Sequence, residues 1–155
     1  MNLNNLKISI ACDHAGVELK LAIIDYLKSI GISSIVDYGV DVSNVSVDYP
    51  DYAGLVCDSI TSSKSDSSKA TLGILICGTG IGMCISANKH KGIRCALCSD
   101  TYSARLTRLH NDANVLAMGA RTLGTGLALD IIDAFIKTEF SKEQRHINRI
   151  CKLEV

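Results

Sequence analysis

Residues 72–83 read LGILICGTGIGM. An unbroken apolar run ends at Cys77 in three alternating glycines, Gly78, Gly80 and Gly82, and the residues that follow, 82–90, take up helical spacing. A run without polar alternation suits a strand buried on both faces, and a strand that passes through a glycine turn into a helix is the βα junction of a parallel sheet. The rest of the chain repeats the pattern. Apolar runs at 7–12, 34–38, 93–99 and 115–119 alternate with helical patterns at 15–30, 52–62, 101–110, 124–140 and 142–153.

Strict βα alternation predicts an α/β protein, a Rossmann-like three-layer α/β/α sandwich around a five-stranded parallel sheet. With 155 residues, 47% of them hydrophobic, the chain suffices for one ordinary core and is too short for two, so residues 1–155 are expected to form a single domain. The stretch 61–71, TSSKSDSSKAT, reads as a flexible surface loop inside that domain.

Sixteen Lys and Arg balance sixteen Asp and Glu, so no overall field draws the protein to nucleic acid or to an anionic membrane. Any anion must be caught by a local cluster. The N-terminal stretch MNLNNLKISIACDHAG has too short an apolar run for a secretory signal, and no run is of membrane length. Seven cysteines, odd in number and scattered through apolar segments, suit reduced thiols and a cytoplasmic protein.

Open parallel sheets bind ligands beyond the C-terminal ends of their strands, which directs attention to 12–14, 48–50, 77–82, 99–100 and 119–121. The glycine loop lacks the third glycine of a dinucleotide fingerprint, because Met83 stands there, and lacks the Gly-Lys-Ser/Thr of a P-loop. A Cys-x5-Arg phosphatase loop fails at the same methionine. What remains is a nest of backbone N–H groups at a helix start, able to stabilise negative charge and to favour a thiolate at Cys77. The bland alternative is a buried structural cysteine at a strand end.

Other clusters also have two readings. Asp13 beside His14 could cap a helix or face the ligand edge. His110, ahead of Asn111, could complement a helix dipole or act chemically. Lys142, Arg145, Arg149 and Lys152 share one stripe if the helix runs through 142–153, and such a stripe is often only a solvated face. Arg145 and Arg149 would nonetheless stand about 6 Å apart along the axis, near enough to grip one phosphate together. The Cys95 and Cys98 spacing looks zinc-like, but residues three apart on a strand face opposite sides and no second pair exists, so no metal is expected.

Taken in order, CDHAG (12–16), DYPDYA (48–53), GILICGTGIGMCISANK (73–89), IRCAL (93–97), RLHNDANVLAMGAR (108–121) and QRHINR (144–149) resemble the type B ribose-5-phosphate isomerases over almost the whole chain. The resemblance implies interconversion of ribose 5-phosphate and ribulose 5-phosphate without metal or organic cofactor. Cys77 then matches the base that moves a proton between C1 and C2. Gly78, Gly80, Ile81 and Gly82 form the nest for the enediolate oxygen, and Thr79 assists proton exchange. His110 matches the acid that opens the furanose ring; Asp13, Tyr49 and Asn111 match hydroxyl ligands; His14, Arg121, Arg145 and Arg149 match phosphate ligands. It further implies a homodimer or homotetramer with sites shared between subunits, the C-terminal helix reaching the partner.

Two departures stand out. Some relatives place a glutamate after the glycine loop in place of the cysteine base, but here that position is Met83, and no Asp or Glu occurs from 78 to 99. Cys84 lies further into the helix, where packing is expected. The loop at 61–71 is longer than the family pattern, with no matching site residue inside it. Rival readings are an isomerase of a six-carbon sugar phosphate, such as allose 6-phosphate or galactose 6-phosphate, and a sugar-phosphate-binding module without catalysis.

Overall fold

The computed structural model describes residues 5–62 and 70–154. Five strands, β1 (Leu6–Cys12), β2 (Ser34–Asp37), β3 (Ala70–Cys77), β4 (Cys95–Leu97) and β5 (Val115–Gly119), form one parallel sheet in the order β2-β1-β3-β5-β4. Six helices connect and close it: α1 (Val17–Ser29), α2 (Tyr49–Ser62), α3 (Ile81–Ala87), α4 (Thr101–Asn111), α5 (Thr125–Lys137) and α6 (Gln144–Cys151). The predicted five-stranded parallel α/β architecture is the one found.

Alternate residues of each inner strand feed two separate cores. Ile74 and Ile76 of β3 join Ile8, Ile10, Leu116 and Met118 beneath α1, α4 and α5, whereas Leu75 and Cys77 join Ala11, Val115 and Ala117 beneath α2 and α3. This two-faced burial explains why the strands lack polar alternation. Each fully buried isoleucine contributes about 2 kcal/mol through removal of apolar surface from water. Ser9, a buried polar side chain of β1 on the face of the smaller core, bonds Ser59 of α2 at 2.8 Å.

Element ends differ from the sequence-based ranges for local reasons. α2 starts at Tyr49 instead of 52, since Pro50 sits in the first turn, where its missing N–H costs nothing. The paired part of 93–99 is only Cys95–Leu97, an edge strand. The last helix is Gln144–Cys151, so Lys142, at φ 58°, and Lys152, its C-cap, fall outside it and the four-residue stripe shortens to Arg145 and Arg149. Cys95 and Cys98 do face opposite cores. Of the loop expected at 61–71, Thr61 and Ser62 end α2, Ala70 and Thr71 start β3, and 63–69 lie outside the described residues. No helix among the described residues is long and apolar enough to cross a membrane.

Candidate active site

The strand order reverses between β1 and β3, which opens a crevice above their C-terminal ends. The Asp13 backbone N–H donates to the Ile76 carbonyl at 3.1 Å and stitches the two strand ends together. The buried Asp13 carboxylate accepts from the Ala15 N–H at 2.9 Å, a local turn; the N-cap of α1 is Gly16, so Asp13 is not the cap. Asp100, by contrast, is a plain cap of α4, accepting from the Ser103 N–H at 2.7 Å.

Across the crevice, Cys77 is only 5% exposed and packs in the smaller core, yet its sulfur accepts the Gly80 N–H at 3.1 Å. The turn that delivers this amide depends on Gly80 at φ 78°, where an L side chain is disfavoured. A Cβ there would also lie 2.5 Å from the Leu97 side chain and 2.7 Å from the Met118 carbonyl carbon. The exposed Thr79 hydroxyl accepts the Ile81 N–H at 3.4 Å. Two amides of the expected nest, those of Gly80 and Ile81, are thus engaged by the loop's own side chains, the first by the sulfur itself. Met83 is fully buried in the core.

The remaining residues of this edge frame the loop. Tyr49 lays its ring on Gly82, so closely that a Cβ there would be 2.8 Å from the phenol carbon Cζ. The Arg121 N–H donates to the Gly78 carbonyl at 2.9 Å, and its guanidinium lies over Gly78. Arg121 and His14 line one cavity of about 390 Å³, with Glu18, Ser43 and Thr125. The His14 Nδ1 accepts the Val47 N–H at 3.3 Å. Asp13, His14, Tyr49, Cys77, Gly78, Thr79, Gly80, Ile81, Gly82 and Arg121 are therefore gathered at one edge of the sheet.

His110, Asn111, Arg145 and Arg149 are not. α4 runs back against the strands, and its last residues lead into Val115, which is paired with Gly73, while Cys77 pairs with Gly119. Four residues of strand separate those levels by about 13 Å, so His110 lies toward the opposite edge. Its setting there is ordered. The His110 ring lies 4.4 Å, centroid to centroid, from the buried ring of His146, whose Nδ1 pairs with the Ser141 hydroxyl at 2.8 Å. Burial, then the nearby His110 and Arg145, lowers the His146 pKa, so this ring is neutral at neutral pH. Arg145 is exposed and paired with Glu143; Arg149 is exposed on the same short helix.

Sequence reasoning gave His146 no role, since only tertiary packing reveals its stacking on His110. Cys84 also departs from its expected inert packing. It is half-buried, beside the Cys95 thiol and the Asn88 amide, and the hydrogen bond with Cys95 brings its pKa down to about 7. The Cys95 thiol is pushed up by its interaction with Cys84 and by burial, and the Cys84 thiol also lies 3.5 Å from the Cys95 carbonyl. Among the described residues, no group of three or more His, Cys, Asp or Glu is placed to hold a metal ion.

Known proteins match this arrangement along nearly its whole length. The family model described as Ribose/Galactose Isomerase matches residues 8–153. The chain is 41% identical over 150 residues to ribose-5-phosphate isomerase B of Escherichia coli, covering 96% of each, and 46% identical over 135 residues to D-erythrulose-4-phosphate isomerase of Pectobacterium atrosepticum, covering 87% of this chain and 85% of that one. Its backbone superimposes on ribose-5-phosphate isomerase B of Clostridium thermocellum with a TM-score of 0.87 at 46% identity, covering 96% and 95% of the two chains. By sequence and by backbone alike, this chain belongs to the ribose/galactose isomerase family and is a sugar-phosphate isomerase.

Proposed function

We propose that the protein interconverts D-ribose 5-phosphate and D-ribulose 5-phosphate through an enediolate, in sites each completed by a second copy of the chain. The observation that carries this reading is the Cys77 sulfur under the Gly80 amide, next to the cavity that His14 and Arg121 share. Removing a proton from the carbon beside a carbonyl places charge on oxygen, and a sulfur held by an amide donor is a fit base for that step. Cys77 takes the proton from one carbon and returns it to the next. Thr79 exchanges the hydroxyl protons, and the amides of the loop from Gly78 to Gly82 stabilise the enediolate oxygen, those of Gly80 and Ile81 only on leaving the Cys77 sulfur and the Thr79 hydroxyl, each well-placed donor contributing about 3 kcal/mol.

Phosphate held by His14 and Arg121 fixes the far end of the open-chain sugar, while Asp13 and Tyr49 orient its hydroxyls. His110, which opens the ring, with Asn111, Arg145 and Arg149, comes from the second copy, because a single chain keeps them at the other edge of the sheet. Exposed apolar side chains support that association: Ile81 and Ile85 stand out one turn apart on α3, and the exposed Leu97 packs against Gly80 of the glycine loop.

The relative named for erythrulose 4-phosphate favours a second reading, a shorter sugar phosphate, and six-carbon substrates such as allose 6-phosphate and galactose 6-phosphate fit the same chemistry. Purified protein without added cofactor, offered each of these sugar phosphates, separates the readings by which one is converted to its isomer with the highest kcat/KM. Cys77→Ala should lower kcat roughly 10³-fold, the scale of a lost general base, with inorganic phosphate still bound. Unchanged turnover in that variant would remove Cys77 from the chemistry and leave a binding role for the loop.

A further inference from the structure

Lys20 lies in the first turn of α1 between two leucines, yet its side chain is fully buried. Its ammonium reaches out of α1 to the end of β2 and the segment that follows it: 2.7 Å to Asp37 Oδ2, 2.8 Å to the Val40 carbonyl and 3.3 Å to Asp41 Oδ1. Burial works against the charge, but the Asp37 and Asp41 bonds outweigh it, and the pKa stays above that of an ordinary lysine. A buried cation with three oxygen partners fixes whatever carries those oxygens.

What carries them is the last residue of β2 and the start of the connection between β2 and α2. Residues 41–46 of it are exposed, with Val42 and Val45 turned to solvent, so no apolar packing holds this stretch in place. It nevertheless brings Ser43 to the cavity wall and the Val47 N–H to His14 Nδ1, and leads into Tyr49, the first residue of α2, on the face of Gly82. We infer that Lys20 is a positioning residue for the phosphate end of the site, anchoring the head of this connection so that Ser43 and the His14-bound Val47 stand at the cavity. This inference rests on the sugar-phosphate reading of that cavity.

The test compares wild type with Lys20→Met, which keeps the aliphatic stem and removes the ammonium. Inorganic phosphate binding is measured by calorimetry, and kcat and KM are measured separately on ribose 5-phosphate or whichever sugar phosphate the wild type turns over. Phosphate Kd and substrate KM should both rise roughly tenfold, while kcat stays within about twofold, because the chemistry at Cys77 is untouched. Asp41→Asn, whose parent side chain is 90% exposed and no threat to folding, should shift both constants in the same direction by a smaller factor. Should Lys20→Met fail to fold, Asp41→Asn decides alone.

Wild-type Kd and KM in a folded Lys20→Met, or in Asp41→Asn where that variant decides alone, would overturn the inference and leave the isomerase reading standing. A drop confined to kcat would overturn it as well. A wild-type protein that binds no phosphate and converts no sugar phosphate would sink both.

Discussion

A sulfur atom at the end of a buried strand takes its character from the groups aimed at it, and Cys77 and Cys12 differ in those groups. Both end inner strands and both are buried, but the Cys12 sulfur faces an acceptor, the Val40 carbonyl at 3.7 Å, whereas the Cys77 sulfur meets a donor, the Gly80 N–H at 3.1 Å. Gly80 makes that contact possible, and Gly80→Ala forces both a left-handed alanine and a clash with the Met118 carbonyl. We expect it to cost about 2–3 kcal/mol in urea denaturation and to abolish turnover; a fully active, equally stable variant would refute the geometry. Cys84 supplies an internal control. With a pKa of about 7, its thiolate fraction rises through neutrality, so alkylation by iodoacetamide should climb between about pH 6 and pH 8 and level off above, as mass spectrometry of the labelled peptide would record. Cys84→Ser should retain isomerase activity, and its loss in that variant would mean the proton passes through the wrong sulfur.

At the scale of elements, the His110 end of α4 is held as deliberately as the Lys20 anchor holds the connection after β2. Arg108, almost wholly buried, donates to the Ala113 carbonyl at 2.5 Å, to Asp112 Oδ1 at 3.1 Å and to the Thr138 carbonyl at 3.3 Å, with its guanidinium over the Phe135 ring. These bonds hold Asp112 in the left-handed conformation that ends the helix and tie it to the end of α5. Arg108→Ala leaves those acceptors without their donor and should lower stability by about 3 kcal/mol; a loss under about 1 kcal/mol would show the end of α4 to be held by other contacts. Such anchors mark where the sequence stops being legible. The strand 70–77 and its glycine turn could be read because double-sided burial leaves an unbroken apolar run, and Cys77, His14 and Arg121 could be placed because parallel sheets put ligands at one edge. Lys20 could not: a lysine between Leu19 and Leu21 looks like a solvated helix position until the connection after β2 closes over it. The same holds for His146, one residue after an exposed arginine, whose burial is decided by how α6 lies on α4.

For the whole molecule, the proposed function has one chain present two separated halves of a site: a thiol, a glycine turn and the cavity lined by His14 and Arg121 at one edge of the sheet, and an imidazole with two arginines toward the other. A phosphorylated five-carbon sugar cannot span the domain, so the halves serve the same reaction only if two copies pair, each lending its His110 end to the other's Cys77 edge. Such pairing is isologous, and it generates two equivalent sites per dimer. The consequence is a complementation that a self-contained site forbids. Cys77→Ala and His110→Ala proteins, each inactive in ring-opening and isomerisation of the cyclic sugar phosphate, are unfolded together and refolded as a mixture. In each mixed dimer one site combines both substitutions and is dead, while the other combines an intact Cys77 with an intact His110. Random pairing puts half the molecules in mixed dimers, so about a quarter of wild-type activity should return. Recovery depends on subunit exchange, so simple mixing without refolding should restore activity slowly or not at all. A mixture that stays inactive, although sedimentation and mass spectrometry show mixed dimers, would mean that His110 and Cys77 never meet across a subunit boundary, and that the ring is opened by a group on the Cys77 edge itself.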